Sequence, residues 1–117
     1  MDISLLYGIL PLGFWGYVLT AFVMVQFTFM GVTLYLHRDA THRSVDLHPA
    51  VRHVFRFWLW MSSGILTSQW VAVHRKHHAA CETSEDPHSP VVLGLRKVLL
   101  EGAELYRAAA RDEQLVA

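Results

Sequence analysis

The chain has 117 residues, room for one domain, and 53% of them are hydrophobic. Ten Lys and Arg balance ten Asp and Glu, so charge gives no argument for a nucleic-acid partner. The single cysteine, Cys81, excludes an intrachain disulfide and a cysteine-built zinc site.

The first element is apolar. From Ile3 to Leu36 there is no Asp, Glu, Lys, Arg or His. A membrane-spanning helix needs about 20 such residues and two would need roughly 40 plus a turn, so one span is the simpler reading. Pro11 and Gly13 break the stretch. This predicts a span over residues 13–36, with residues 2–10 as an interfacial lead-in. A secretory signal peptide fits poorly, because the basic start is missing and the apolar run is too long. A buried core helix fits poorly too, since a chain this small has little protein to surround it. All ten Lys and Arg follow the span, which places the C-terminal side in the cytoplasm of an integral membrane protein.

Leu47-His48-Pro49 is a turn followed by a helix start, with Pro49 at the first helical position. The stretch from Phe57 to Val73 is uncharged but carries Ser62, Ser63, Gly64, Thr67, Ser68 and Gln69. It reads as a helix lying against the first or at the interface, with Trp58, Trp60 and Trp70 at headgroup level. A second span is the alternative. Ser89-Pro90 then reads as an N-cap and first helical residue. An amphipathic helix follows over about 90–112, with Lys97 and Glu101 paired across one turn. The fold class is therefore all-α: one or two spans plus interfacial and amphipathic helices in a single unit, 1–117.

Histidine is the unusual residue, with eight in the chain. "HRDATHR" follows the span directly. His37 and His42 are five apart, about 140° around an α-helix axis. On that geometry they cannot share a narrow face, so either the helix ends there or the two rings serve different ions. In "HRKHH", His74, His77 and His78 fall within about a 100° arc, as neighbouring ligands do.

Imidazole suits Fe, Zn, Cu and Ni. Arg75 stands where a zinc-protease helix has its Glu, so no general base sits there. A structural zinc site closes with four ligands. Five histidines in two clusters exceed one such site and imply two metals or an open redox site. A basic patch on anionic lipid is a weaker reading, since Lys or Arg would serve it better. His48, His53 and His88 are not at ligand spacing, and Cys81 reads as a bystander.

An apolar span running into HxxxxH (37–42), then HxxHH (74–78) followed by "CETSEDPHSP", resembles the membrane fatty-acid desaturases. It is nearest the acyl-CoA desaturase branch in its bacterial form, over roughly residues 14–92. The resemblance implies a non-haem di-iron centre that uses dioxygen to place a cis double bond in a fatty acyl chain. Its ligands would include His37, His42, His74, His77 and His78. Trp70 would line the bend of the acyl tunnel. Glu82, Asp86 and His88 would orient ligand rings. Electrons would come from a ferredoxin, rubredoxin or cytochrome b5-like protein, and the protein would sit among lipid in a bacterial inner membrane, histidines on the cytoplasmic side.

The family's third histidine box and second hairpin are missing here; no histidine follows His88. The chain is therefore expected to be an N-terminal part, inactive alone. A membrane hydroxylase or alkane monooxygenase with similar boxes, or a non-enzymatic metal-binding membrane fragment, are the rival readings.

Overall fold

The computed structural model describes residue 10 and residues 12–116. The expected lead-in over 2–10, Leu10 apart, and the break at Pro11 lie outside the described residues. Among the described residues every regular element is helical. They are α1 (Phe14–Met30), a π-helical segment (Gly31–Thr41), α2 (Pro49–Ser63), α3 (Thr67–Ala80), α4 (Pro90–Leu93), α5 (Leu95–Ala110) and α6 (Glu113–Val116).

α1 and the π segment form one continuous helix, Phe14–Thr41, of 28 residues, within which an 18-residue stretch has mean hydropathy 1.7. Among the described residues it is the one helix long and apolar enough to cross a membrane. Its apolar side chains face outward, with Phe14, Trp15, Leu19, Phe22 and Phe29 all exposed. An apolar surface of that extent is the mark of a lipid-facing or partner-facing helix. The helix does not end at Leu36 but carries the first histidine with it.

α2 starts as its sequence predicts. The His48 ring accepts the Ala50 N–H, and Pro49 occupies the first turn. It packs on the long helix at Gly31, where an added Cβ would stand 3.2 Å from Phe55 and 3.3 Å from Leu59. Tyr35, Leu36, Phe55 and Leu59 form the buried core there. Trp58 is not an exposed headgroup anchor. Its indole N–H donates to Thr28 Oγ1 at 2.9 Å, while Thr28 itself donates to the Met24 carbonyl. Ser62 and Ser63 donate to carbonyls four residues back. Each of these polar groups thus finds a partner within or between the two helices.

The uncharged stretch 57–73 is not one helix. Gly64 takes φ +69, a left-handed conformation that costs glycine little, and closes α2. α3 then returns toward the end of the π segment, where Tyr35 Oη and Thr67 Oγ1 bond at 2.9 Å. Neither α2 nor α3 is long enough for a second span. The helix expected over 90–112 is also divided. Ser89 caps α4, with its hydroxyl accepting the Val92 N–H, and Gly94 at φ +85 breaks the chain before α5. Lys97 and Glu101 do pair, at 4.0 Å on the surface. α5 and α6 fold back against α3.

One ion-pair group ties the chain between the two histidine clusters. Asp39, nearly buried, receives Arg52 through Nε and Nη2, both at 2.8 Å, and the Leu47 N–H at 3.2 Å. Arg52 also reaches Asp46 at 2.7 Å. A two-pronged guanidinium–carboxylate contact fixes orientation as well as distance.

Candidate metal centre

His37 and His42 come together because the helix carrying them is wound as a π-helix. Its hydrogen bonds close from i to i+5, so residues five apart stack one above the other. The His42 N–H donates to the His37 carbonyl at 3.1 Å. One step earlier, the Thr41 hydroxyl donates to the Leu36 carbonyl at 2.7 Å. The two rings lie 4.7 Å apart. This corrects the expectation that they diverge by an α-helical angle.

α3 contributes the facing pair. His74 and His78, one turn apart, place their Nε2 atoms 3.1 Å from each other. His37 lies 4.8 Å from His74, and His42 lies 5.0 Å from His78, between ring centroids. The ligand nitrogens of His37, His42, His74 and His78 all fall within 4.8 Å of one another.

His77 does not join them, contrary to the single arc expected for the second cluster. It turns to a second group with Asp86 and His88. The Asp86 side chain is fully buried, with its two oxygens 3.0 and 2.9 Å from His77 Nδ1. Nδ1 therefore carries the proton and donates it to Asp86, which leaves the Nε2 lone pair free. Asp86 also accepts the backbone N–H groups of Glu82 and His88, at 3.2 and 3.1 Å. Glu82 adopts φ +61 to make this turn. It contributes its backbone, while its side chain is exposed. His88, whose spacing predicted no such place, stacks on His77 at 4.4 Å. The resemblance names it with Glu82 and Asp86, and the closure of the 81–88 loop brings it there.

The electrostatics favour neutral rings. His74 is pushed down to about 4 by burial first, then by His78, His37, His42 and His77. Burial and the neighbouring His77 also lower His88, against the partial help of Asp86. Burial opposes the charge of Asp86, but the bonds from His77 and from the His88 and Glu82 backbones outweigh it and hold the carboxyl below its ordinary range. Asp39 is engaged by Arg52, and among the described residues no carboxylate is in hydrogen-bond contact with the four-histidine group. Four converging ring nitrogens make a donor set for a cation. By donor type the set suits Fe, Zn, Cu or Ni.

Trp70 stacks flat on His74, with centroids 4.5 Å apart and planes 18° from parallel. Both line a cavity of about 230 Å³ between α3 and α5. Arg75 and Lys76 lie off the ligand face. Arg75 reaches the Thr41 carbonyl at 3.5 Å, and Lys76 lies 4.0 Å from Glu85.

Residues 12–112 match the family model for fatty acid desaturases. A probable chloroplastic lipid desaturase of Arabidopsis thaliana is 42% identical over 64 residues, covering 50% of this chain and 16% of that protein. The chloroplastic palmitoyl-monogalactosyldiacylglycerol delta-7 desaturase of the same plant is 32% identical over 78 residues, covering 66% of this chain and 21% of its own length. An acyl-CoA C20 delta-5 desaturase of Anemone leveillei is 38% identical over 66 residues, covering 52% and 20%. The chain thus spans about a fifth of the length of these curated relatives. All three are plant proteins, so the bacterial form rests on the sequence pattern alone. No solved structure matches the chain. By the extent of the family match, the chain belongs to the fatty acid desaturase family.

Proposed function

We propose that this chain supplies the first two histidine clusters of a di-iron centre that desaturates a fatty acyl chain. The observation that carries this is the convergence of His37, His42, His74 and His78 at the end of a membrane-length apolar helix. In this reading these four rings hold one iron. His77, oriented by Asp86, offers its Nε2 to the other, and the remaining ligands come from outside the chain. Bound iron would supply the oxidising power, with dioxygen, two electrons and two protons, to remove two hydrogens from adjacent methylenes and release two waters.

The chain's own residues would do the rest. Asp86 keeps the His77 proton on Nδ1. Trp70 braces His74 and presents an apolar face to the substrate. A site at the end of the long apolar helix fits an apolar substrate arriving from a bilayer. The basic residues after it put the histidines on the cytoplasmic side, within reach of a ferredoxin, rubredoxin or cytochrome b5-like donor. The relatives' names include both acyl-CoA and lipid-linked acyl substrates, and either class fits this site.

The test is expression of the chain, together with the segment that supplies the remaining ligands, in cells fed deuterated palmitate, with lipid products read by mass spectrometry. A new alkene that disappears in His74→Ala supports the reading. An alcohol at the same position would make the protein a hydroxylase. Metal bound with no oxygen-dependent product would reduce the chain to a metal-binding membrane protein.

A further inference from the structure

Gly102 sits inside α5, where the backbone is ordinary helix and no left-handed turn calls for glycine. Glycine weakens a helix interior relative to alanine. Close packing does not explain it either, because an added Cβ would meet nothing within 4 Å. What its missing side chain leaves is space. Gly102 lines the cavity of about 230 Å³ whose other walls include Trp70, Val73, His74 and Val98. At roughly 30 Å³ for each small group, that volume holds about seven or eight methylenes. The exposed wall area is mainly apolar, with His74, His88 and Tyr106 as its polar members, and His74 belongs to the four-histidine group.

We propose that Gly102 sets the bore of a cleft that receives the apolar chain of the substrate beside Trp70 and His74. The identity of the occupant rests on the acyl reading above. The cleft itself rests on α3, α5 and the room that Gly102 leaves between them. A side chain at position 102 would fill that room from the α5 side, while α3 and the π segment still hold His37, His42, His74 and His78.

The experiment places the chain in lipid nanodiscs and titrates it with the methyl ester of a bromine-labelled stearate. Bromine quenches tryptophan on contact. The readout is the part of the quenching that Trp70→Phe abolishes, which separates the cleft from Trp15, Trp58 and Trp60. The wild-type chain is expected to show saturable, Trp70-dependent quenching. Gly102→Leu should raise the half-saturating concentration about tenfold or more, and Gly102→Ala by a smaller factor. Neither should lower the melting temperature, since both residues favour helix. Should Gly102→Leu unfold, Val98→Phe fills the cleft from the preceding turn and takes its place. Quenching at the wild-type concentration in folded Gly102→Leu would overturn the proposal, as would an absence of Trp70-dependent quenching in the wild type. The product assay in cells reads the desaturase proposal separately. Quenching without any alkene would remove that reading and keep the cleft.

Discussion

His37 and His42 face each other at 4.7 Å across a single i→i+5 step of a π-helix. An α-helix through the same residues would turn the two rings apart, and the first cluster would have no common focus. π-helical turns are rare and concentrate at functional sites. Here the register is held from three sides: the Thr41 hydroxyl on Leu36, Arg75 on Thr41, and Arg52 on Asp39.

Arg52 is the strongest of these supports. Arg52→Ala leaves the nearly buried Asp39 without its guanidinium partner. Because Arg52 itself is 40% exposed, solvent screens the pair and we expect a partial loss of stability rather than the full penalty of a buried pair. Chemical unfolding in detergent measures it. An unchanged midpoint would show that the clamp is idle.

Asp86→Asn should leave the fold standing and weaken metal binding. The variant keeps the shape but gives up the charge that holds the Nδ1 proton of His77. Loss of such a partner typically costs about 10–100-fold in affinity. Chelator competition with ferrous ion gives the number, and an unaltered affinity would separate Asp86 from the site.

The metal-free chain should lose stability on mild acidification. An ordinary histidine titrates near 6.5, while His74 in the fold titrates at about 4. Below 6.5 the unfolded chain takes up a proton that the folded chain refuses. Stability is therefore full above that value and falls until about pH 4. His88, also lowered, adds to the same trend. Asp86 adds a loss only below its ordinary 3.8. Melting temperatures across this window should decline, and His74→Gln should flatten the decline.

Gly31→Val tests the crossing of α2 on the long helix. Its Cβ would press on Phe55 and Leu59 at 3.2–3.3 Å, with two further methyls behind it. Overpacking of this kind costs about 1–3 kcal/mol. A thermal melt in detergent reads it, and wild-type stability would mean that the helices separate there at no cost.

Much of the architecture was legible in the residues. A long uncharged run marked the one helix that, among the described residues, is long and apolar enough to cross a membrane. Pro49 and the Ser89-Pro90 pair mark helix starts through backbone constraints that act locally. Both histidine clusters stood out by composition and spacing, and Asp86 by its place in "ETSEDPH". Helix ends were harder. Gly64 and Gly94 interrupt stretches whose apolar pattern reads through them, because periodicity reports which face is apolar and not where the backbone turns.

The sequence by itself determined the elements, their chemistry and the family, since hydrophobic length, helix capping and ligand type are properties of neighbouring residues. Tertiary structure alone decided which histidines meet. The π winding of Gly31–Thr41 depends on long-range partners such as Arg52 and Arg75. The parting of His77 from His74 and His78 depends on a buried carboxylate nine residues further along. Both are effects of packing between segments distant in the chain, and no local spacing encodes them.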